Sequence, residues 1–226
     1  MLTLKIAVAI PTHKPHLKFL ERCLDSIEKQ TRKPDIVSIS ASSCQEKDLE
    51  LEITKYTFPI KIHFSELSQN AAQNRNIAAN LLKDTEYQPD IISFFDCDDE
   101  MIPTRLEFIE RAFQETKSAL IVHNYVWMRT PDSSSTPNYT DYVVFQNAVI
   151  PNPTHCGVYT QTPYNAPLHH GHVSTLYHIW ETYPFNETQQ CLWMEDSVFC
   201  KTIASRFKEC SYIQTQLCIY HDYKKD

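Results

Sequence analysis

Apolar positions along this chain fall into two kinds of run, and the alternation between them predicts its architecture. Ile6-Ala7-Val8-Ala9-Ile10 and Ile91–Phe95 are short and nearly unbroken, as strands covered by helices on both faces are. Leu17, Leu20, Leu24 and Ile27 instead recur at offsets of 3, 7 and 10, one face of a helix over roughly residues 15–29. Lys29, Arg32 and Lys33 follow, where a helix dipole favours positive charge. Ile36–Ser40 predicts a second strand, and the alternation in Ile60–Phe64 predicts a third with one face exposed. Leu106, Ile109, Ala112 and Phe113 mark a helix over 103–117, ahead of a strand at Ala119–His123.

The second half is less regular. Residues 129–141 are polar and rich in Ser, Thr and Pro, which predicts a loop. Tyr142–Ile150 follows as a strand. Pro151, Pro153, Pro163 and Pro167 then break up a stretch long enough to suggest function. Gly171–Tyr177 is strand-like. A helix from about Glu195 to Phe207 turns Val198, Phe199 and Ile203 to the core, and Leu217–Tyr223 predicts a closing strand. Strands alternating with helices make this an α/β chain, and 226 residues suit one domain.

Composition narrows the function. A formal net charge of −7 with no basic stripe argues against nucleic acid as partner. Only two glycines occur, Gly157 and Gly171, so neither a Walker A loop nor a Rossmann fingerprint can be written. A nucleotide would have to be held by side chains and a metal. No stretch is long enough to span a membrane. The eight cysteines show no zinc spacing, and Cys23 and Cys200 fall at buried positions, as reduced thiols of a cytoplasmic protein would.

The chemistry concentrates where the Ile91–Phe95 run stops. Asp96, Asp98 and Asp99 crowd the carboxyl end of that strand, the edge where open α/β sheets bind ligands. Two carboxylates roughly 6 Å apart repel by about 3 kcal/mol at an effective dielectric of about 20. A divalent cation such as Mn2+ or Mg2+ would remove that cost. The competing reading is that one of these Asp residues caps the helix after Pro103.

Phe94-Phe95-Asp96-Cys97-Asp98-Asp99, with Pro103, Arg105 and Leu106, resembles the DxD segment of GT-A fold glycosyltransferases, closest to glycosyltransferase family 2. Pro11-Thr12-His13 resembles the same family's opening, and Asn74-Arg75-Asn76 its Ala-Arg-Asn helix, with either Gln73-Asn74 or Arg75-Asn76 as the matching pair. Glu195-Asp196 resembles its Glu-Asp motif. The resemblance implies a GT-A (Rossmann-like nucleotide-diphospho-sugar transferase) fold, a central mostly parallel sheet flanked by helices. It divides one domain, 1–226, into a nucleotide-binding half (about 1–125) and an acceptor half (about 142–226).

It further implies an inverting, metal-dependent enzyme that moves a sugar from a nucleoside diphosphate-sugar, with UDP as the family default, to a hydroxyl of a glycan or glycoconjugate. Asp196 would be the base, with Glu195 beside it. Pro11, Thr12, His13, Asn74, Arg75, Asp96, Cys97, Asp98, His172 and Trp193 would line the nucleotide-sugar site. Asp98, Asp96 and His221 would hold the metal. One departure stands out: the family's base-reading Asp after the second strand is missing from Ile39-Ser40-Ala41-Ser42-Ser43, where Ser42 and Ser43 serve equally as contacts or as a helix cap. A sugar-phosphate nucleotidyltransferase and a non-catalytic binding module are the rival functions. Carboxylate capping of a helix is the plainer account of Glu195-Asp196, and packing that of His169, His170 and His172.

Overall fold

A strand without charge survives in a sheet centre only if helices cover both its faces. In β1 (Ile6–His13) Ile6, Val8 and Ile10 point to one helical layer, Ala7 and Ala9 to the other. The computed structural model describes residues 3–83, 88–128, 142–148, 160–161, 167–168, 170–188 and 194–222. After β1 come α1 (Leu17–Glu28), β2 (Ile36–Ser42), β3 (Ile60–Ser65), α2 (Ala71–Asn80) and β4 (Ile91–Phe94). A two-residue strand β5 (Glu100–Met101), α3 (Arg105–Thr116), β6 (Leu120–Met128) and β7 (Val144–Phe145) follow. The described remainder is β8 (Thr160–Gln161), β9 (Pro167–Leu168), β10 (Ser174–Leu176), α4 (Tyr177–Thr182), α5 (Glu195–Arg206) and β11 (Cys210–His221).

The main sheet runs β3-β2-β1-β4-β10-β6-β11-β5, with β7 also on β11. Its first four strands are parallel. β10 then enters antiparallel between β4 and β6, which restores the direction of β4 in β6, and β11 runs parallel to β6. The carboxyl ends of β1, β2, β4, β6 and β11 therefore share one edge. β8 and β9 form a separate hairpin. This is the GT-A architecture expected from the sequence.

Leu20, Leu24 and Ile27 of α1 are sealed against the sheet together with Leu106, Ile109 and Phe113 of α3. Each such side chain contributes about 1.5–3 kcal/mol of transfer free energy. The opposite layer is α2, α4 and α5. There Ala72, Ala78 and Ala79 let α2 lie close to Ala7 and Ala9, while Phe185, Phe199 and Trp180 fill the wider space.

Several boundaries differ from the pattern. Pro15 and His16 lie in a 3-10 turn, so α1 begins at Leu17. Residues 170–172 form another such turn, which shortens the strand foreseen at 171–177, and Tyr177 opens a helix instead. The last strand begins at Cys210 rather than Leu217. Cys200, not Val198, joins Phe199 and Ile203 in the core, because the buried face of α5 is set by the turn that carries Glu195 inward. Of Tyr142–Ile150, only Val144–Phe145 is strand among the described residues. All six described cysteines are free thiols and buried. No helix among the described residues is long and apolar enough to cross a membrane.

Candidate active site

β4 ends at Phe94, and the chain turns back within a few residues to make β5, with Asp99 N–H donating to Asp96 O at 3.2 Å. That reversal puts Asp96, Asp98 and Asp99 on a tight turn at the shared carboxyl edge. They do not cap α3. Its N-cap is Thr104, without a side-chain bond. Asp98 turns away from the other two carboxylates. Asp98 lies 3.7 Å from His16 Nδ1, and its carbonyl accepts from Arg22 Nη2 at 2.5 Å. Asp99 is buried, accepts from His221 N–H at 2.9 Å and lies 3.0 Å from His172 Nε2. Asp96 faces Arg75.

Asn70 starts α2 by a capping box with Gln73, which takes Gln73 out of the site. The next three residues then divide the work. Asn74 holds the ends of β1 and β2: its amide donates to Thr12 O at 3.2 Å and Ser42 Oγ at 3.0 Å and accepts from Ser40 Oγ at 2.9 Å. Ser42 is thus buried inside the fold, and Gln45, not Ser42 or Ser43, caps the next turn. Asn76 ties α2 to Phe185 N–H and O and to Trp180 Nε1. Arg75 faces the acidic turn. Of the two possible registers, Arg75-Asn76 is the one that brings a guanidinium to the Asp cluster.

Arg75 joins the two acidic motifs. Its Nη2 bonds Asp96 Oδ1 at 2.8 Å and its Nη1 bonds Glu195 Oε1. Burial alone would lower its pKa; Asp96 and Glu195 reverse that and raise it. Burial likewise pushes the Asp96 and Glu195 carboxyls up, with Arg75 pulling against it. Asp196 lies outside this clamp. Its Oδ1 accepts from Ser197 N–H at 2.6 Å, and burial raises its pKa to about 6 while Arg75 opposes. Met194 is the N-cap of α5 and makes no side-chain bond, so neither acid caps the helix from outside it.

Among the described residues, one group of side chains could hold a cation. Ligand atoms of Asp96, Asp99 and His172 lie within 4.8 Å of one another. Two carboxylate oxygens and an imidazole suit Mn2+ or Mg2+. His172 is fully buried and stacks on Phe95 at 4.5 Å, and burial lowers its pKa to about 3, which keeps it neutral. The structure therefore brings Asp96 together with Asp99 and His172. Asp98 stands on the His16 side of the turn. His221 contributes its backbone to Asp99 and its Nε2 to Glu100 at 2.7 Å.

Of the residues the resemblance assigns to the nucleotide, Pro11 and Thr12 are buried in β1, and the His13 ring lies 4.1 Å from that of His16. Burial, then the neighbouring His16, lowers the His13 pKa. Cys97 is buried and donates to His16 O at 3.4 Å, which makes it a tie between the acidic turn and the 3-10 turn that precedes α1. Trp193 and His169 lie outside the described residues. Sequence reasoning placed Asp99 in the acidic cluster but not among the metal ligands, and it did not single out Arg22 or His16. The signal for Asp99 was present in the motif itself; Arg22, on the polar side of α1, gave none.

A family model described as glycosyl transferase family 2 matches residues 7–170. No curated protein matches in sequence. Among solved structures, S. aureus TarS 1–349 in complex with UDP superimposes with a TM-score of 0.68 at 16% identity, over 96% of this chain and 60% of that one. TarS 1–349 in complex with UDP-GlcNAc gives 0.68 at 16%, over 97% and 59%. S. aureus TarS itself gives 0.66 at 17%, over 96% and 37%. This chain thus spans at most about three fifths of the TarS structures it resembles.

Proposed function

The chain belongs to glycosyl transferase family 2, and from that premise we propose that it moves a sugar from a nucleoside diphosphate-sugar to an acceptor hydroxyl with inversion. The observation that carries the proposal is the Arg75 clamp. It joins the turn after β4 to the start of α5 and leaves Asp196 beside it with a raised pKa. A base poised near neutral pH suits proton removal from an alcohol. In this reaction the acceptor oxygen attacks the anomeric carbon and the bond to the diphosphate oxygen breaks on the opposite face. The acceptor proton passes to Asp196. Glu195, fixed by Arg75, holds the start of α5 in place.

A divalent cation at the Asp96–Asp99 turn would stabilise the negative charge of the departing diphosphate. Asp96, Asp99 and His172 are the donors that converge there, whereas the family resemblance offers Asp96, Asp98 and His221. Substituting Asp98 and Asp99 singly by Ala and titrating Mn2+ separates these sets: the ligand's loss abolishes uptake and the other's does not. UDP is the donor nucleotide we infer, because the similar TarS structures contain UDP and UDP-GlcNAc. Trp193 and His172 would lie toward the sugar, and a glycan or glycoconjugate would be the acceptor.

Two measurements test the proposal. A nucleotide at 100 times its dissociation constant should stabilise the protein by about 2.7 kcal/mol. A melting shift with UDP and Mn2+ that EDTA removes is expected; no shift with UDP, GDP or TDP would overturn the donor reading. Asp196→Asn should keep that shift and lose about 10²–10⁴-fold in kcat. Full transfer activity in Asp196→Asn would overturn the base assignment.

A further inference from the structure

A second buried arginine sits on the other side of the acidic turn. Arg105, the first residue of α3, is 0% exposed. Its Nη1 donates to Ser93 Oγ at 2.8 Å, and Ser93 Oγ shares a further bond with Ser174 Oγ at 2.9 Å. Its Nη2 donates to Phe94 O at 3.4 Å and His172 O at 3.1 Å. Its Nε donates to His123 Nε2 at 3.1 Å, and the Phe95 ring lies 4.9 Å from the guanidinium carbon.

None of these partners is a carboxylate. His123 can accept only if it is neutral with its other nitrogen protonated. Its Nδ1 lies 2.8 Å from Asn124 O, which fixes that tautomer. The positive charge is thus solvated entirely by neutral dipoles. An apolar residue would fill the space without that desolvation cost, so packing alone does not account for an arginine here. What an apolar residue could not do is bond Phe94 O and His172 O with one rigid fork. Those carbonyls belong to the strand end that carries Asp96 and to the turn that carries the His172 imidazole.

We propose that Arg105 is a positioning residue for the active site: its guanidinium clamps the end of β4 to the 170–172 turn and so sets the spacing between the acidic turn and His172. The inference rests on the reading that this turn binds a divalent cation. Lysine cannot replace the arginine, because a single ammonium point does not span both carbonyls and Ser93. Groups that orient metal-binding side chains from behind typically change affinity by about 10–100-fold when lost.

The test is Mn2+ binding to the full chain, followed by the EPR signal of free Mn2+, in wild type and Arg105→Lys, with the melting temperature of each. Arg105→Lys should remain folded and bind Mn2+ at least about tenfold more weakly. A folded Arg105→Lys with wild-type Mn2+ affinity would overturn the inference while leaving the cation reading intact. Wild-type protein that takes up no Mn2+ would overturn both. Should Arg105→Lys fail to fold, Ser93→Ala removes the Nη1 oxygen acceptor together with the Ser93–Ser174 bond, and Ser174→Ala removes that bond alone; weaker Mn2+ binding in Ser93→Ala than in Ser174→Ala supports the clamp, and equal binding overturns it. A purely structural arginine would shift melting in these variants without moving the Mn2+ affinity of the folded protein.

Discussion

Two buried guanidiniums flank Asp96, and they are stabilised in opposite ways. Arg75 sits between Asp96 and Glu195 and is held charged by them. Arg105 sits among a serine, a neutral imidazole and two carbonyls; burial lowers its pKa to about 10, still far above neutrality. The first arrangement joins two anionic motifs from distant parts of the chain. The second fixes backbone positions through neutral partners, without bonding a carboxylate.

Breaking the Arg75 side should have the largest effect. Arg75→Met leaves Asp96 and Glu195 facing each other with no cation between them. Loss of one partner from a buried ion pair typically costs about 3–5 kcal/mol. Chemical denaturation should show a loss of that order, and added Mn2+ should recover part of it if the turn takes up the ion. A variant as stable as wild type would mean that the clamp is not an energetic unit.

The Arg105 side should respond to a gentler change. His123→Leu leaves the Arg105 Nε–H buried without an acceptor, which costs about 1–3 kcal/mol. His123→Gln offers a carbonyl oxygen at similar reach and should cost less. Equal losses in the two variants would show that ring packing against His172, 6.2 Å away, matters more than the hydrogen bond.

The difference between these regions also explains what the sequence revealed. Asp96-Cys97-Asp98-Asp99 and Glu195-Asp196 are contiguous, and each stands where a strand or helix pattern changes, so both motifs were visible. Arg75 was visible as a candidate because Asn-Arg-Asn flanks it, yet its double partnership was not, since Glu195 lies more than a hundred residues away. Arg105 was noted only as part of a motif, because an arginine on an amphipathic helix looks like any solvated charge. The Asp99–His172 approach depends on β10 running antiparallel beside β4. β10 has three residues, too few for period two to register. α4 was missed for a similar reason: Tyr177-His178-Ile179-Trp180 is rich in residues that favour strands. The parallel strands β1, β2 and β4 were legible because each is long enough, and apolar enough, to declare its burial.

The smallest effect concerns Asp196, which lies next to the Arg75 clamp but not in it. Its carboxyl is raised from 3.8 to about 6, burial being the main cause. The sign follows from proton binding. Between those values the folded protein holds a proton that the unfolded chain has released, so this group lowers stability as pH rises and reaches its full penalty above about 6. Asn at this position cannot ionise. Asp196→Asn should therefore be nearly neutral to stability near pH 4 and stabilising by on the order of 1 kcal/mol at pH 8, a melting shift of about 2–4 °C. Activity should run the other way in wild type, rising as pH passes through about 6 because the base acts only when ionised. Melting curves of both proteins from pH 4 to 8 decide the matter. A stability difference that grows with pH and levels off near neutrality places Asp196 as a base with a raised pKa; a difference independent of pH would mean that its carboxyl titrates normally.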